Sequence, residues 1–178
     1  MESITWKELL SAESRWAYLV HCEEREIGGF VPARMYTDPA ATEAIRFIRG
    51  RRAATRDLLF HEFAAALQFP SYFGHNWDAF DECINDLQDW LPATAYVLIL
   101  TQADQVLAKE PRDFHILVDL LGIAAKEMAA PRDQQGRHPP VPFRVVFQCE
   151  RTKQAECQAR LEQAGAEAFC RKLTIVYD

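Results

Sequence analysis

Asp78, Glu82 and Asp86 recur at every fourth position of the stretch 69–91, FPSYFGHNWDAFDECINDLQDWL, with Asp81 and Asp89 beside them. On a helix this spacing stacks three carboxylates in one stripe. Like charges placed so destabilise a helix by about 0.2–0.5 kcal/mol per pair. No lysine or arginine occurs from Asp57 through Ala108 to relieve them, while eight acids do. A stripe of one sign is suited to a cation from outside the chain. The plainer reading is a solvated face of an acidic protein, because net charge speaks mainly to solubility and encounter rates.

Other chemistry is sparse. His61-Glu62 begins like a zinc-protease motif, but no second histidine stands at the required position. His21, His75, His115 and His138 are scattered, and His75 reads as a solvent-facing turn residue. The five cysteines lack metal-ligand spacing, and no glycine-rich phosphate loop or GxSxG elbow is present. Arg46, Arg49, Arg51, Arg52 and Arg56 form a basic cluster. It is either a phosphate patch or a set of partners for acids elsewhere, and no interleaved aromatics of the RNA-binding kind accompany it.

The elements that must position the acids follow from apolar spacing. Trp77, Phe80, Ile84, Leu87 and Leu91 are separated by 3, 4, 3 and 4 residues, which predicts one helix over Trp77–Leu91 with a buried face. Trp77 is then a core residue and Tyr72 an exposed one. Asn76 is the expected N-cap, and Asp78 falls in the first turn, where the helix dipole favours an anion. Pro70 to His75 makes the preceding turn, with Gly74 expected to supply its backbone freedom.

The remaining chain reads as alternating strands and helices. The N-terminal region predicts a short helix over Ile4–Ser11, a strand over Trp16–Cys22, a turn at Gly28-Gly29 and an edge strand over Phe30–Tyr36. From residue 44 the expectations are a strand Ala44–Ile48, a helix from its cap Thr55 to Leu67, and a central strand Tyr96–Leu100 covered on both faces. A short helix over Thr101–Lys109 and a longer one over Asp113–Ala129 follow. Pro131–Pro142 reads as the least ordered segment. Then come a strand Phe143–Cys149, a helix Thr152–Ala164 stopped by Gly165, and a final strand Leu173–Tyr177. Such alternation predicts an α/β fold with a mostly parallel sheet.

The chain has 178 residues, 49% of them hydrophobic, with a formal net charge of −6. That is enough for one domain with a real core. The acidic balance argues against nucleic acid as the main partner and allows a basic one. No basic start followed by an apolar core suggests a signal peptide, and no apolar run is long enough to span a membrane. An odd number of cysteines without CxxC spacing suggests free thiols in a reducing cytosol.

The stretch built on Pro70, Tyr72, Phe73, Gly74, Asn76, Asp78, Ala79 and Cys83 resembles the barstar family of barnase inhibitors. The resemblance runs from the strand AIRFI to the strand FRVVFQC, roughly residues 44–150. It implies a barstar-like three-layer α/β core with a small, mostly parallel sheet and surrounding helices. The second helix and the loop before it would plug a ribonuclease active site, with carboxylates in place of RNA phosphates. Tyr72, Gly74 and Asn76 match contact residues of the inhibitory loop. Asp78 matches the first acid of the binding helix, and Glu82 falls where the family usually places its dominant aspartate. Asp81 stands where the family has tryptophan, Phe73 replaces a tyrosine, and Asp86 and Leu87 replace glycine and tryptophan. A further acid of the family's last helix has its nearest candidate in Asp119.

The expected organisation is thus an N-terminal addition 1–43, a barstar-like domain 44–150, and a C-terminal extension 151–178. The expected protein is a cytoplasmic, non-catalytic inhibitor or immunity protein, monomeric when free. It would use no cofactor or metal and make no direct contact with nucleic acid or membrane. Its partner would be a basic toxin, a ribonuclease, met by Tyr72, Gly74, Asn76, Asp78, Asp81, Glu82, Asn85 and Asp86. The alternatives are an immunity protein of this fold against a non-ribonuclease toxin, and an RNA- or nucleotide-handling protein using the Arg46–Arg56 cluster.

Overall fold

A computed structural model describes residues 3–11, 14–38, 40–131, 138–166 and 169–173. Six strands form one sheet in the order β1-β6-β2-β5-β4-β3, and every pairing is parallel. They are β1 (Ser3–Ile4), β2 (Ala17–His21), β3 (Glu43–Arg49), β4 (Ala95–Thr101), β5 (Phe143–Cys149) and β6 (Phe169–Leu173). The α/β class and the barstar-like core of β3, β4 and β5 are as expected, and the two ends of the chain widen the sheet beyond β5.

Alternate residues of each strand face opposite sides, and both sides are covered. On one side Leu98, Leu100, Val145 and Phe147 pack under four helices: α4 (Arg56–Leu67), α5 (Trp77–Asn85), α7 (Phe114–Met128) and α8 (Gln154–Gln163). On the other, Tyr18, Val20, Val97, Ile99 and Val146 meet Ile4, Trp6, Leu9, Ile27, Phe30 and Val31 of the N-terminal region. Tyr96 through Leu100 are all fully buried, which is why that strand is apolar at every position instead of every second one. The N-terminal layer is tied down by Arg144, a buried residue of β5. Its guanidinium donates to the carbonyls of Leu9 at 3.0 Å and Ser11 at 2.9 Å.

Several segments depart from expectation. The N-terminal helix shortens to α1 (Trp6–Leu9), capped by Thr5, and β1 precedes it. Phe30–Tyr36 is no strand. After α2 (Glu24–Ile27) the chain makes a turn of 3-10 helix over Gly28–Phe30 and then α3 (Arg34–Thr37). Phe30 and Val31 are consecutive and both buried, which a strand on one sheet face cannot arrange. Of the expected helix Thr101–Lys109, Thr101 ends β4 and residues 103–109 are a series of turns. Gln102 and Leu107 are left-handed, with φ of 50° and 52°. The carbonyls of Ala103, Asp104 and Val106 turn toward the Arg160 guanidinium at 3.2, 3.1 and 2.8 Å. The last strand starts earlier than expected, at Phe169, and Thr174–Tyr177 lie outside the described residues, as does 132–137 of the Pro131–Pro142 segment. Gly165 ends α8 as expected, with φ of 79°.

One close approach fixes the entry to α4. A Cβ on Gly50 would stand 2.2 Å from the Gln102 carbonyl oxygen and 2.4 Å from that of Thr101. Both obstacles are backbone, so β3 and β4 would have to separate at their carboxyl ends. Gly50→Ala is expected to destabilise the fold by about 1–3 kcal/mol, read as a lower midpoint in urea unfolding; an unchanged midpoint would show that the strand ends give way freely.

Candidate docking surface

The candidate surface begins where α4 ends. Gln68 closes α4 in the left-handed conformation, and the chain turns through Pro70, whose carbonyl accepts from Phe73 N–H at 3.0 Å. Phe73 is buried, and its ring stands edge-on to Phe60 at 5.8 Å and Phe69 at 5.0 Å. Tyr72, next to it, is 68% exposed. The left-handed residue of this turn is His75, with φ of 50°, and not Gly74. A non-glycine residue there costs roughly 1–2 kcal/mol. Gly74 is small for a different reason, since a Cβ on it would lie 3.1 Å from the Asn76 amide nitrogen. The imidazole of His75 lies 4.8 Å from the Phe73 ring and 4.7 Å from the ring of His61 on α4.

Asn76 caps α5. Its side-chain oxygen accepts from Ala79 N–H at 2.9 Å, and its amide donates to the Gly74 carbonyl at 3.2 Å. The helix then buries Phe80, Cys83 and Ile84. Trp77 is only half-buried, where the apolar spacing predicts core. Its ring packs on Phe60 at 4.9 Å and Phe80 at 5.8 Å, and its buried indole N–H finds no acceptor among the described residues.

The predicted helix over Trp77–Leu91 is broken. α5 ends at Asn85, Asp86 is its C-cap, and a separate turn, α6 (Leu87–Trp90), follows. Leu87, the first residue after the break, is completely buried, and the Trp90 indole N–H donates to the Leu67 carbonyl at 3.4 Å. The carboxylate stripe therefore comprises Asp78 and Glu82 on the helix and Asp86 at its end.

Asp78 and Glu82 are exposed, and neither has a cationic partner among the described residues. Asp81 and Asn85 are half-buried and bonded to each other, the Asn85 amide donating to the Asp81 side chain and carbonyl at 2.9 Å each. Asp89, past the break, is bound by His138 at 2.7 Å. Loop and helix share one field. Desolvation raises the Tyr72 hydroxyl above its ordinary value, and the neighbouring Cys83, Glu82, Asp86 and Asp89 side chains add to it. Burial, then Glu82 and Asp86, pushes the Cys83 thiol up to about 11, which keeps it a protonated, unreactive packing group. Asp119 is exposed on α7, the helix packed against α5.

Three arginines of the cluster, Arg49, Arg51 and Arg56, pair with acids away from this face, and Arg52 is exposed. Arg49 grips Glu62 through two side-chain bonds of 2.6 and 3.1 Å. Burial works to raise the Glu62 carboxyl, but the Arg49 bonds and charge, with Arg52 beyond, hold it below its usual range. Arg51 pairs with Glu24 at 3.3 Å and Arg56 with Asp113 at 3.7 Å. Arg46 donates to the Ile45 carbonyl at 2.9 Å. An open depression of about 330 Å³ beside β3 is lined by Phe47, Arg49, Glu62, Ala65 and Ala66 and shares no residue with the acidic face. Among the described residues no cluster of His, Cys, Asp or Glu suits a metal ion, and no helix is long and apolar enough to cross a membrane.

Comparison with known proteins gives a sequence-level match. The family model described as Barstar (barnase inhibitor) matches residues 43–148. No curated protein sequence matches the chain. Among solved structures, a chain of the Drosophila ORC bound to AT-rich DNA and Cdc6 is 12% identical, with a TM-score of 0.46 over 90% of this chain and 51% of that one. A chain of Drosophila ORC bound to DNA has the same identity and TM-score, covering 82% of its length. This chain thus spans about half the length of the first of them, and neither likeness carries a statement about function.

Proposed function

The chain belongs to the barstar family of barnase inhibitors, and we propose on that premise that it is a non-catalytic inhibitor or immunity protein. It acts in the cytoplasm, as a monomer until it meets its target, and plugs the basic active site of a toxic ribonuclease. Asp78 and Glu82 enter deepest, in place of substrate phosphates. Tyr72, Gly74 and Asn76 form the loop edge, and Asp81, Asn85 and Asp86 flank the acids.

The observation that carries this reading is the like charge on α5, set in a stretch of chain, Asp57 to Ala108, that contains no lysine or arginine. Glu24, Glu43, Glu62, Asp113 and Glu156 each have an arginine or lysine within the fold. Asp78 and Glu82 stand exposed on a capped, well-anchored helix with no cation of their own among the described residues. Unpaired carboxylates on a rigid support lose little on meeting external cations, and their field speeds the encounter. The described cysteines Cys22, Cys83, Cys149 and Cys157 are free thiols, in keeping with a reducing compartment.

One observation favours a second reading, an immunity protein against a toxin that is not a ribonuclease. Where the family has tryptophans, Asp81 is held by Asn85 and Leu87 is buried, so the aromatic flank of a ribonuclease-binding helix is absent. The use of the arginine cluster for RNA is the less supported reading, because Arg49, Arg51 and Arg56 each pair with an acid of this chain.

The test is co-expression with the product of the adjacent gene, scored as cell survival, with Asp78→Ala/Glu82→Ala as control. Rescue by the wild type but not by the double variant is the expected result. Rescue by both would move the docking site off α5. A neighbouring toxin that cleaves DNA instead of RNA would select the second reading.

A further inference from the structure

His61 and His75 stand 14 residues apart in the sequence, and nothing in their spacing pairs them. The fold brings them together at the entrance to the acidic face. His75 sits in the strained, left-handed turn of the loop, with φ of 50°. Its ring lies 4.8 Å from that of Phe73 in the same loop and 4.7 Å from that of His61 on α4. Phe73 is rooted in the core through Phe60 and Phe69. His61 stands on α4, with its own ring 3.7 Å from Asp57 one turn earlier. The order is therefore core, Phe73, His75, His61, helix. Without that clamp nothing among the described contacts holds the His75 ring, and a left-handed non-glycine residue relaxes unless its surroundings over-determine it.

We propose that His61 is a positioning residue for the docking loop. Through the His75 ring it holds the chain from Tyr72 to Asn76 in the shape that presents Tyr72 and delivers Asn76 to its cap. His61 need not touch the partner to matter. A loop ordered before the encounter gives up less freedom on binding than one ordered by it. The consequence for partner binding rests on the function proposed above; the positioning itself does not.

Amide hydrogen exchange on the free protein tests the positioning without any partner. The reporters are Phe73 and Ala79, whose amides bond to Pro70 and Asn76, with Leu98 and Ile99 of β4 as the reference for the whole fold. His61→Ala is expected to speed exchange at Phe73 and Ala79 severalfold and to leave β4 unchanged. His61→Phe, which keeps a ring against His75, is expected to restore protection. His75→Gly removes the strain and the ring together, and is expected to loosen the loop as His61→Ala does. Unchanged exchange at Phe73 and Ala79 in His61→Ala would overturn the proposal. So would equal loosening by His61→Phe and His61→Ala, which would deny the ring its part. A parallel rise at Leu98 and Ile99 would also overturn it, since His61 would then support the fold at large. If the exchange pattern is as expected but no basic toxin binds, the clamp stands and the inhibitor reading falls.

Discussion

Glu82→Ala is expected to weaken binding of the cognate basic partner by about 2 kcal/mol or more, roughly 30-fold in Kd. Glu82 is exposed in the middle of the acidic face and has no cation of its own among the described residues. Its charge is therefore free to be matched by the partner and desolvated at the centre of the contact, where the largest truncation effects concentrate. Asp89→Ala is the control. Asp89 lies beyond the helix break and already holds His138 at 2.7 Å, so its loss is expected to change Kd by about threefold or less, as for a rim charge. Titration calorimetry or surface binding at two salt concentrations would measure both. Equal losses for the two variants would place the contact centre elsewhere than Glu82. The fold should not notice the change. Removing one carboxylate from a like-charged stripe relieves repulsion of about 0.2–0.5 kcal/mol per pair, so the unfolding midpoint should hold or rise slightly.

Phe80→Ala is expected to do the reverse, with a loss of about 3–5 kcal/mol in folding stability. Phe80 is fully buried on the inner side of the same helix. Its ring lies 5.0 Å from Phe63, 5.8 Å from Trp77, and 6.0 Å from both Phe60 and Phe69. Truncation leaves a cavity lined by four aromatic rings, each held by further neighbours, so the site collapses poorly. Against a total stability of about 5–15 kcal/mol for a domain, this is a large share. Urea unfolding would read it, and a loss under about 1 kcal/mol would mean the cluster refills the space. Taken together, the two variants separate the outer face of α5 from the inner one: one alters the encounter and spares the fold, the other alters the fold that presents the encounter.

The same helix shows how far local reasoning reaches. The cap at Asn76, the buried positions Phe80 and Ile84, and the exposed acids Asp78 and Glu82 were legible, because each depends on spacing within a turn or two. The break at Asp86 was not. Leu87 and Leu91 continue the helical period, so the spacing carries no sign of the interruption that Asp86 makes between α5 and α6. Backbone freedom alone points to Gly74 as the residue that lets the loop reverse. The left-handed residue is His75 instead, with φ of 50°, its ring beside Phe73 of the same loop and His61 of α4.

The N-terminal region makes the same division. Its strand Ala17–His21 was visible as an apolar run, but Phe30–Tyr36 reads as a strand by residue type and folds as turns and a short helix. Its apolar residues serve a surface, the second face of the sheet, that exists only once β4 and β5 have formed. By itself, then, the sequence determined what is short-range: strand and helix periods, caps, the acidic stripe, and the family to which residues 43–148 belong. The tertiary structure alone decided which faces needed covering, where the acidic helix stops, which arginines find acids, and that His61 meets His75. These depend on contacts between segments far apart in the chain, and such contacts leave no period in the sequence that precedes them.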